Sequence, residues 1–445
     1  MRPAFLVLLF AAAGALVPAP AGADVVLLGR LTTTGVGEQL GDGALAPSLS
    51  PDGRWVAFVS SSDNLGVPFN GSTNVYRYDL QEDVFELATA GLGSGNSTAP
   101  SISEDGLALA FQSLANDLVV SGTSDVTDVF YSGTVALGGG AFGFETLLVS
   151  RGLGGAAPNG ASQNASISAN GRFVAFLSHA SNLVGSDTNG QPDVFVADEN
   201  DGFSTPERVS VTGAGTQIDG PSRALSPSAI SADGRYVAFA VDTPISIDGS
   251  NAGTLEDVFV RDRQAGTTSL VSKSSAGVAG NSSSDMAAIS PSGRFVVFRS
   301  FSSNLVASPS GSRIYRRDRE QGVTANMPLP PGTASCEGPR VSDRGDIVAQ
   351  CNAQAFLYHA GEDALYQLST SLTAGPGNGV SATYSSISAD GSVMVFDSDA
   401  SDLVPDDTNS SPDVFVAVPE PGVSGAGLTA AAALAVAARR RSRRA

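Results

Sequence analysis

The chain is 445 residues long with a formal net charge of −19, and six of its 25 Lys and Arg fall in its two end segments, so the body between them is more acidic still. Such a surface repels phosphate backbones and anionic lipid, which excludes nucleic acid as an expected partner. With 51 Gly, 24 Pro and little helical periodicity, the composition points to many short strands joined by turns.

The first predicted element is a secretory signal over residues 1–23. Arg2 gives a positive start, Ala4 to Val17 an apolar run, and Ala21-Gly22-Ala23 a small-residue cleavage site, so the cut is expected between Ala23 and Asp24. Directly behind it stands an isolated apolar strand, Val25 to Leu31.

From there one phrase recurs seven times. Its glycine falls at Gly53, Gly106, Gly171, Gly234, Gly293, Gly345 and Gly391. Serine stands three residues before every one of these glycines and an aliphatic residue four before. Phenylalanine stands five after in six copies (Phe58, Phe111, Phe176, Phe239, Phe298 and Phe396), with Gln350 the exception. An apolar run, a Ser-x-Asp/Asn-Gly turn and a denser apolar run make a β-hairpin whose second strand is buried on both faces.

Further landmarks keep the same register. Leucine follows the glycine by twelve residues at Leu65, Leu118, Leu183, Leu305 and Leu403. A third strand reads Asp-Val-Phe or a relative, as at 128–130, 193–195, 257–259 and 413–415, and a fourth follows a polar turn, as at 146–149 and 208–211. Repetition at this period means stacked units, and four antiparallel strands in each of seven units predict an all-β, seven-bladed β-propeller over residues 24–418. The seventh unit ends after its third strand, so the strand behind the signal is expected to close the last blade from the N-terminal side.

The phrases Ser-Pro-Asp-Gly-Arg-Trp-Val-Ala-Phe (50–58) and Ser-Ala-Asp-Gly-Arg-Tyr-Val-Ala-Phe (231–239) resemble the TolB-type, WD40-like propeller repeat. The resemblance covers nearly all of the predicted propeller and implies a fold, not a chemistry. It brings to mind peptidases that join a propeller to an α/β-hydrolase, but seven blades leave no stretch for such a domain.

No Gly-x-Ser-x-Gly or His-Glu-x-x-His motif occurs, and the two histidines, His179 and His359, fall in different blades. No catalytic or cofactor-binding residue is therefore assigned. The innermost strands should line the channel with Ser48, Ser101, Ser166, Ala229, Ala288 and Ser386, where Arg340 is the one charge. The repeated Arg54, Arg172, Arg235 and Arg294 read as structural pairs, since a site is usually single. Cys336 and Cys351, in the sixth unit, flank its turn symmetrically and favour a disulfide in an exported chain, the alternative being two buried thiols. Asp187, Asn189 and Asp193, matched by Asp407, Asn409 and Asp413, put hard oxygens on a turn that Ca²⁺ would accept. Turn chemistry opening the third strand is the favoured reading of the same residues. The long connections, between strands 2 and 3 and from strand 4 to the next blade, emerge on one face, which is expected to bind a protein or glycan.

The last 27 residues, 419–445, carry Pro419-Glu420-Pro421, a Gly/Ala-rich run of 17 residues from Gly422 to Ala438, and five arginines. This tail resembles the PEP-CTERM sorting signal of Gram-negative bacteria. The resemblance implies transient retention at the inner membrane, cleavage by an exosortase-type enzyme and display outside the cell. The arginines fit the positive-inside rule, but the run is shorter than the ~20 residues of a stable span, and an uncut, weakly attached tail is the alternative. Taken together, the sequence leads to an exported, non-catalytic binding or scaffolding propeller, associated with extracellular polysaccharide. A polysaccharide- or ester-cleaving enzyme, with its site over the channel mouth, is the alternative.

Overall fold

A computed structural model describes residues 26–31, 39–65, 70–89, 93–120, 122–138, 141–223, 225–242, 255–307 and 313–419. The expected cleavage site at Ala23 and Asp24, and Glu420 and Pro421 of the expected sorting motif, lie outside them; Pro419 ends the last strand. The strands form seven separate antiparallel sheets, each built from one repeat. Blade 1 runs Leu45–Leu49, Trp55–Ser60, Asn74–Asp79 and Val84–Leu87, in that spatial order. Blades 2, 3, 5 and 6 repeat it. In blade 4 the first strand is reduced to two bridges, Ser222 to Val241 and Ile230 to Val237. Blade 7 is completed by Val26–Arg30, which pairs with Asp413–Pro419 from Val26 opposite Pro419 to Arg30 opposite Phe415.

The repeated serine has a local cause. Ser168 donates to Asn170 at 2.6 Å and accepts from the amide of Phe173 at 2.9 Å, closing the hairpin turn around Gly171. Ser50, Ser103, Ser231 and Ser388 do the same with Asp52, Asp105, Asp233 and Asp390. The turns also bond to one another round the ring: Glu104 N to Ala169 O, Asn170 N to Ala232 O, Ala232 N to Pro291 O, and Ala389 N to Pro51 O.

The core lies between blades rather than within them. Each of the seven hydrophobic clusters joins two neighbouring blades. In the second strand of blade 1, Val56 and Phe58 face blade 7 while Ala57 and Val59 face blade 2, which is why the run is apolar at every position. The phenylalanine pairs with the aromatic of the third strand; Phe176 and Phe195 stack at 5.8 Å, and Phe396 and Phe415 at 5.6 Å.

A second contact pins the seams near the turns. Gly234 has φ +75°, and a Cβ there would meet Phe173 of the preceding blade at 2.1 Å. The Phe173 ring lies between two guanidinium groups, Arg172 at 4.6 Å and Arg263 at 4.7 Å, and Arg263 also donates to the Gly234 carbonyl at 2.7 Å. Tyr236 on Gly293, between Arg235 and Arg319, repeats the arrangement. The repeated arginines are held in turn by third-strand carboxylates: Arg54 by Asp79, Arg172 by Asp198, Arg235 by Asp262 and Arg294 by Asp318.

Blade 6 differs from its expected register. Ala349, not Gln350, stands opposite the third-strand aromatic Phe356, because the turn after Gly345 is one residue shorter than in the other blades. Gln350 instead pairs with Glu337, and Cys336 with Cys351. The two cysteines are bridged, with Cα atoms 4.3 Å apart. Four other blades put a hydrogen-bonded serine pair at this register: Ser97 with Ser113, Ser162 with Ser178, Ser284 with Ser300 and Ser381 with Ser398.

Two outcomes follow from these contacts. Gly234→Ala should lower the unfolding free energy by roughly 2–5 kcal/mol, through left-handed backbone strain and overlap with Phe173. The exposed Gly215→Ala, at φ +79° with open space around it, should cost only the strain; urea unfolding of both variants separates the two contributions. Replacing Cys336 and Cys351 together by serine should leave the fold intact. Opening a loop of sequence separation 15 costs about 3 kcal/mol, of which a serine–serine hydrogen bond recovers about 1 kcal/mol, and the same denaturation measurement checks it.

Candidate functional site

The strand ends that meet on the long-connection face of blades 4 to 6 bring six charged residues together. Asp242 closes the second strand of blade 4 and Glu256 opens its third. Asp285 and Glu337 stand second in the innermost strands of blades 5 and 6, and Arg299 is last but one in the second strand of blade 5. Arg223 follows the bridge at Ser222. Arg299 grips Asp285 through Nε to Oδ1 at 2.8 Å and Nη2 to Oδ2 at 2.5 Å, and lies 3.9 Å from Glu337. Arg223 is 3.4 Å from Glu256 and 3.5 Å from Asp242.

Four carboxylates against two guanidinium groups leave this cluster short of positive charge. Burial first, and then the negative field of Asp285, push the Glu256 carboxyl up to about 7 in spite of Arg223. Its side chain stays 15% exposed and that of Arg223 48% exposed, so both reach solvent. A carboxyl that titrates near neutrality within reach of solvent can take or give a proton at working pH. Sequence reasoning missed this group because its members come from three blades and only the fold brings them together.

One register position in the second strand carries polar contacts across the seams. Each regular innermost strand contains a bulge with a residue of positive φ, among them Ala46, Asn164 and Gly338. The Asn164 amide donates to Gln112 of the preceding blade at 2.7 Å, and the Ala46 amide to Asp397 at 3.4 Å. Gln350 donates to the Ser381 carbonyl at 2.9 Å. Burial pushes the Asp397 carboxyl up to about 6, against the amides of Tyr384 and Ala46 that it accepts. The sequence signal was a polar residue where this strand otherwise reads apolar.

Of the ring expected on the innermost strands, Ser48, Ser101, Arg340 and Ser386 line the central cavity, whereas Ala229 and Ala288 are packed into the seams between blades. Ser48, Ser101, Ser166, Ala288, Arg340 and Ser386 share one register, each opposite an alanine or valine. Ser101 and Ser166 both donate to the carbonyl of Pro227, at 3.0 and 2.9 Å, which draws the irregular inner segment of blade 4 against blades 2 and 3. A cavity of about 50 Å³ remains, with Ser48, Ser101, Pro227, Arg340 and Ser386 in its wall.

The residues considered for Ca²⁺ form two matched clusters whose oxygens already have partners. Gln217 donates to Asp187 at 3.0 Å and Asp193 at 2.9 Å, and Arg208 lies 3.2 Å from Asp193. Asn189 donates to the Ile218 carbonyl at 2.8 Å and accepts from Gln191. In blade 7, Gln39 donates to Asp407 at 2.7 Å and Asp413 at 2.8 Å, with Arg30 at 3.6 Å from both, and Asn409 donates to Leu40 O. A cation would have to displace an arginine from each cluster. Among the described residues no group of three or more His, Cys, Asp and Glu is placed to hold a metal.

The molecule is a seven-bladed β-propeller, closed by its N-terminal strand. No protein-family model matches the sequence, and no curated protein matches it. Among solved structures, it is similar to an oligogalacturonate lyase from Vibrio parahaemolyticus at 13% identity and a TM-score of 0.52, over 91% of this chain and 96% of the other. An oligogalacturonate lyase in complex with manganese gives 14% identity and a TM-score of 0.52, over 93% and 100%. A protein described as TolB, from Agrobacterium tumefaciens, gives 17% identity and a TM-score of 0.38, over 64% and 80%. At these identities the likeness is one of fold. It corrects the expectation of a non-enzyme: that expectation rested on the absence of catalytic motifs and of a further domain, yet chains matched over nearly their whole length carry an enzyme's name.

The Asp397 carboxyl gives a pH signature. Its folded value, about 6, lies above the ordinary 3.8, so the native state binds the extra proton between these values and loses stability as the pH rises through them. Asp397→Asn should flatten that fall, by an amount on the order of 2 kcal/mol between pH 4 and pH 7. Denaturant midpoints of both proteins across this range check it.

Proposed function

We propose that this protein is an exported polysaccharide-cleaving enzyme, a hydrolase or lyase, with its site over the channel mouth on the long-connection face. The observation that carries the reading is Glu256, a carboxyl titrating near 7 among Arg223, Asp242, Asp285 and Arg299. Breaking a glycosidic bond needs a proton delivered to the leaving oxygen or removed from the sugar ring, and such a group does either at neutral pH. Arg223, half exposed beside it, is a donor for a sugar hydroxyl or carboxylate. The names of the two lyase neighbours support polysaccharide as the substrate class, and the export signal and sorting tail read from the sequence agree with an extracellular substrate. In this reading an exosortase-type enzyme processes the tail, and membrane contact is transient.

The test is turnover by the protein without its leader on a panel of neutral and acidic polysaccharides, following release of reducing or unsaturated ends. Glu256→Gln should lower kcat at least 100-fold with KM little changed. The wild-type pH–rate profile should turn near pH 7, falling above it if Glu256 acts as the acid and rising towards it if it acts as the base, and the variant should lose that limb. Binding without turnover across the panel, or a fully active Glu256→Gln, would overturn the proposal.

A further inference from the structure

Arg340 is the one member of the channel ring that the propeller's own packing does not explain. It is 8% exposed and forms no salt bridge among the described residues. Among the described residues its hydrogen bonds run from Nη1 to the carbonyls of Gly338 at 3.3 Å and Pro339 at 2.9 Å, two neighbours on its own strand. The other six ring positions are serine or alanine, so closing the ring needs no cation there. A guanidinium withdrawn from water without a carboxylate is strongly unfavourable, and burial pushes its pKa down to about 10.

The hydroxyls around it divide into two groups. On the blade 2 and 3 side, Ser101 and Ser166 are engaged by Pro227. On the other side, Ser386 of blade 7 and Ser48 of blade 1 are buried and line the same cavity as Arg340, and their hydroxyls make no hydrogen bond among the described residues. Three consecutive blades thus present one guanidinium and two unengaged hydroxyls to one cavity of about 50 Å³. Among the described residues no carboxylate lines it, and the rest of its wall is largely aliphatic and proline.

We infer that the central channel is a binding site for a compact oxyanion, held by Arg340 through its remaining N–H groups and by the hydroxyls of Ser386 and Ser48. A planar carboxylate or a tetrahedral phosphate matches the guanidinium fork, and the hydroxyls supply the donors that a buried anion needs. The oxyanion comes either as free inorganic phosphate or as the carboxylate of an acidic sugar. This site is separate from the Glu256 cluster and does not depend on the enzymatic reading.

The experiment is thermal unfolding and calorimetric titration of the protein with phosphate, galacturonic acid and, as the neutral control, galactose, all at matched ionic strength in chloride. At a hundredfold excess over Kd, the bound oxyanion should raise the midpoint by roughly 3 °C, and galactose should leave it unchanged. A response to phosphate alone identifies the free ion, and a response to galacturonic acid alone the sugar acid. Arg340→Met should fold, given the neutral residues elsewhere in the ring, and lose the response entirely. If it does not fold, Ser386→Ala with Ser48→Ala serves instead, and should weaken binding roughly tenfold. Glu256→Gln should bind as the parent does, so loss of turnover and loss of anion binding are separately read. No response to either oxyanion, or an equal response in the Arg340→Met and parent proteins, would overturn the inference.

Discussion

The seam between blades is the constraint on which everything else rests. No single sheet has a core of its own; the apolar side chains of each second strand divide between two neighbours, with Val56 and Phe58 serving one seam and Ala57 and Val59 the other. An aromatic ring laid on the turn glycine of the next blade, between two arginines, fixes the spacing at the turn face. Because that contact admits no Cβ, the glycine is set twice, once by its own backbone and once by its neighbour. The turn-to-turn hydrogen bonds carry the same geometry round the axis.

What repeats was legible in the sequence, and what does not repeat was not. The hairpins, the closure by the first strand and the structural role of Arg54, Arg172, Arg235 and Arg294 all follow from periodic patterns, since each blade meets the same physical demand. Even the acidic partners of those arginines, Asp79, Asp198, Asp262 and Asp318, stand three residues after the third-strand aromatic, a signal present but unread. Blade 6 was misregistered because counting from Gly345 cannot see a shortened turn, whereas the pairing of Cys336 with Cys351 can. The bulge amides, and the Gln112 and Asp397 side chains that receive them, needed the third dimension: their partners lie one blade away, at separations no local pattern encodes.

The division between repeated and unrepeated residues also separates the packing of the ring from the charges set into it. Serine, glycine, phenylalanine and arginine at their fixed positions build the wheel. Glu256 and Arg340 each break the pattern of their position, one at the opening of a third strand and the other on an innermost strand, whereas Arg299 and Asp397 share the polar register of Gln112 and Gln350. The paired clusters around Asp193 and Asp413 show the contrary case. Their carboxylates look like ligands in the sequence but answer to Arg208 and Arg30, equivalent members of the fourth strands of blades 3 and 7.

The pairing of Val26 with Pro419 has a consequence for how the molecule is presented. Whatever precedes the one and follows the other departs from adjacent points on the rim of blade 7. A tether at either extremity therefore holds the disc by a single spoke, leaving the far spokes, blades 3 and 4, outermost. Synthesis reaches Val26 long before Asp413, so the latch cannot shut until the strand from Asp413 has been made.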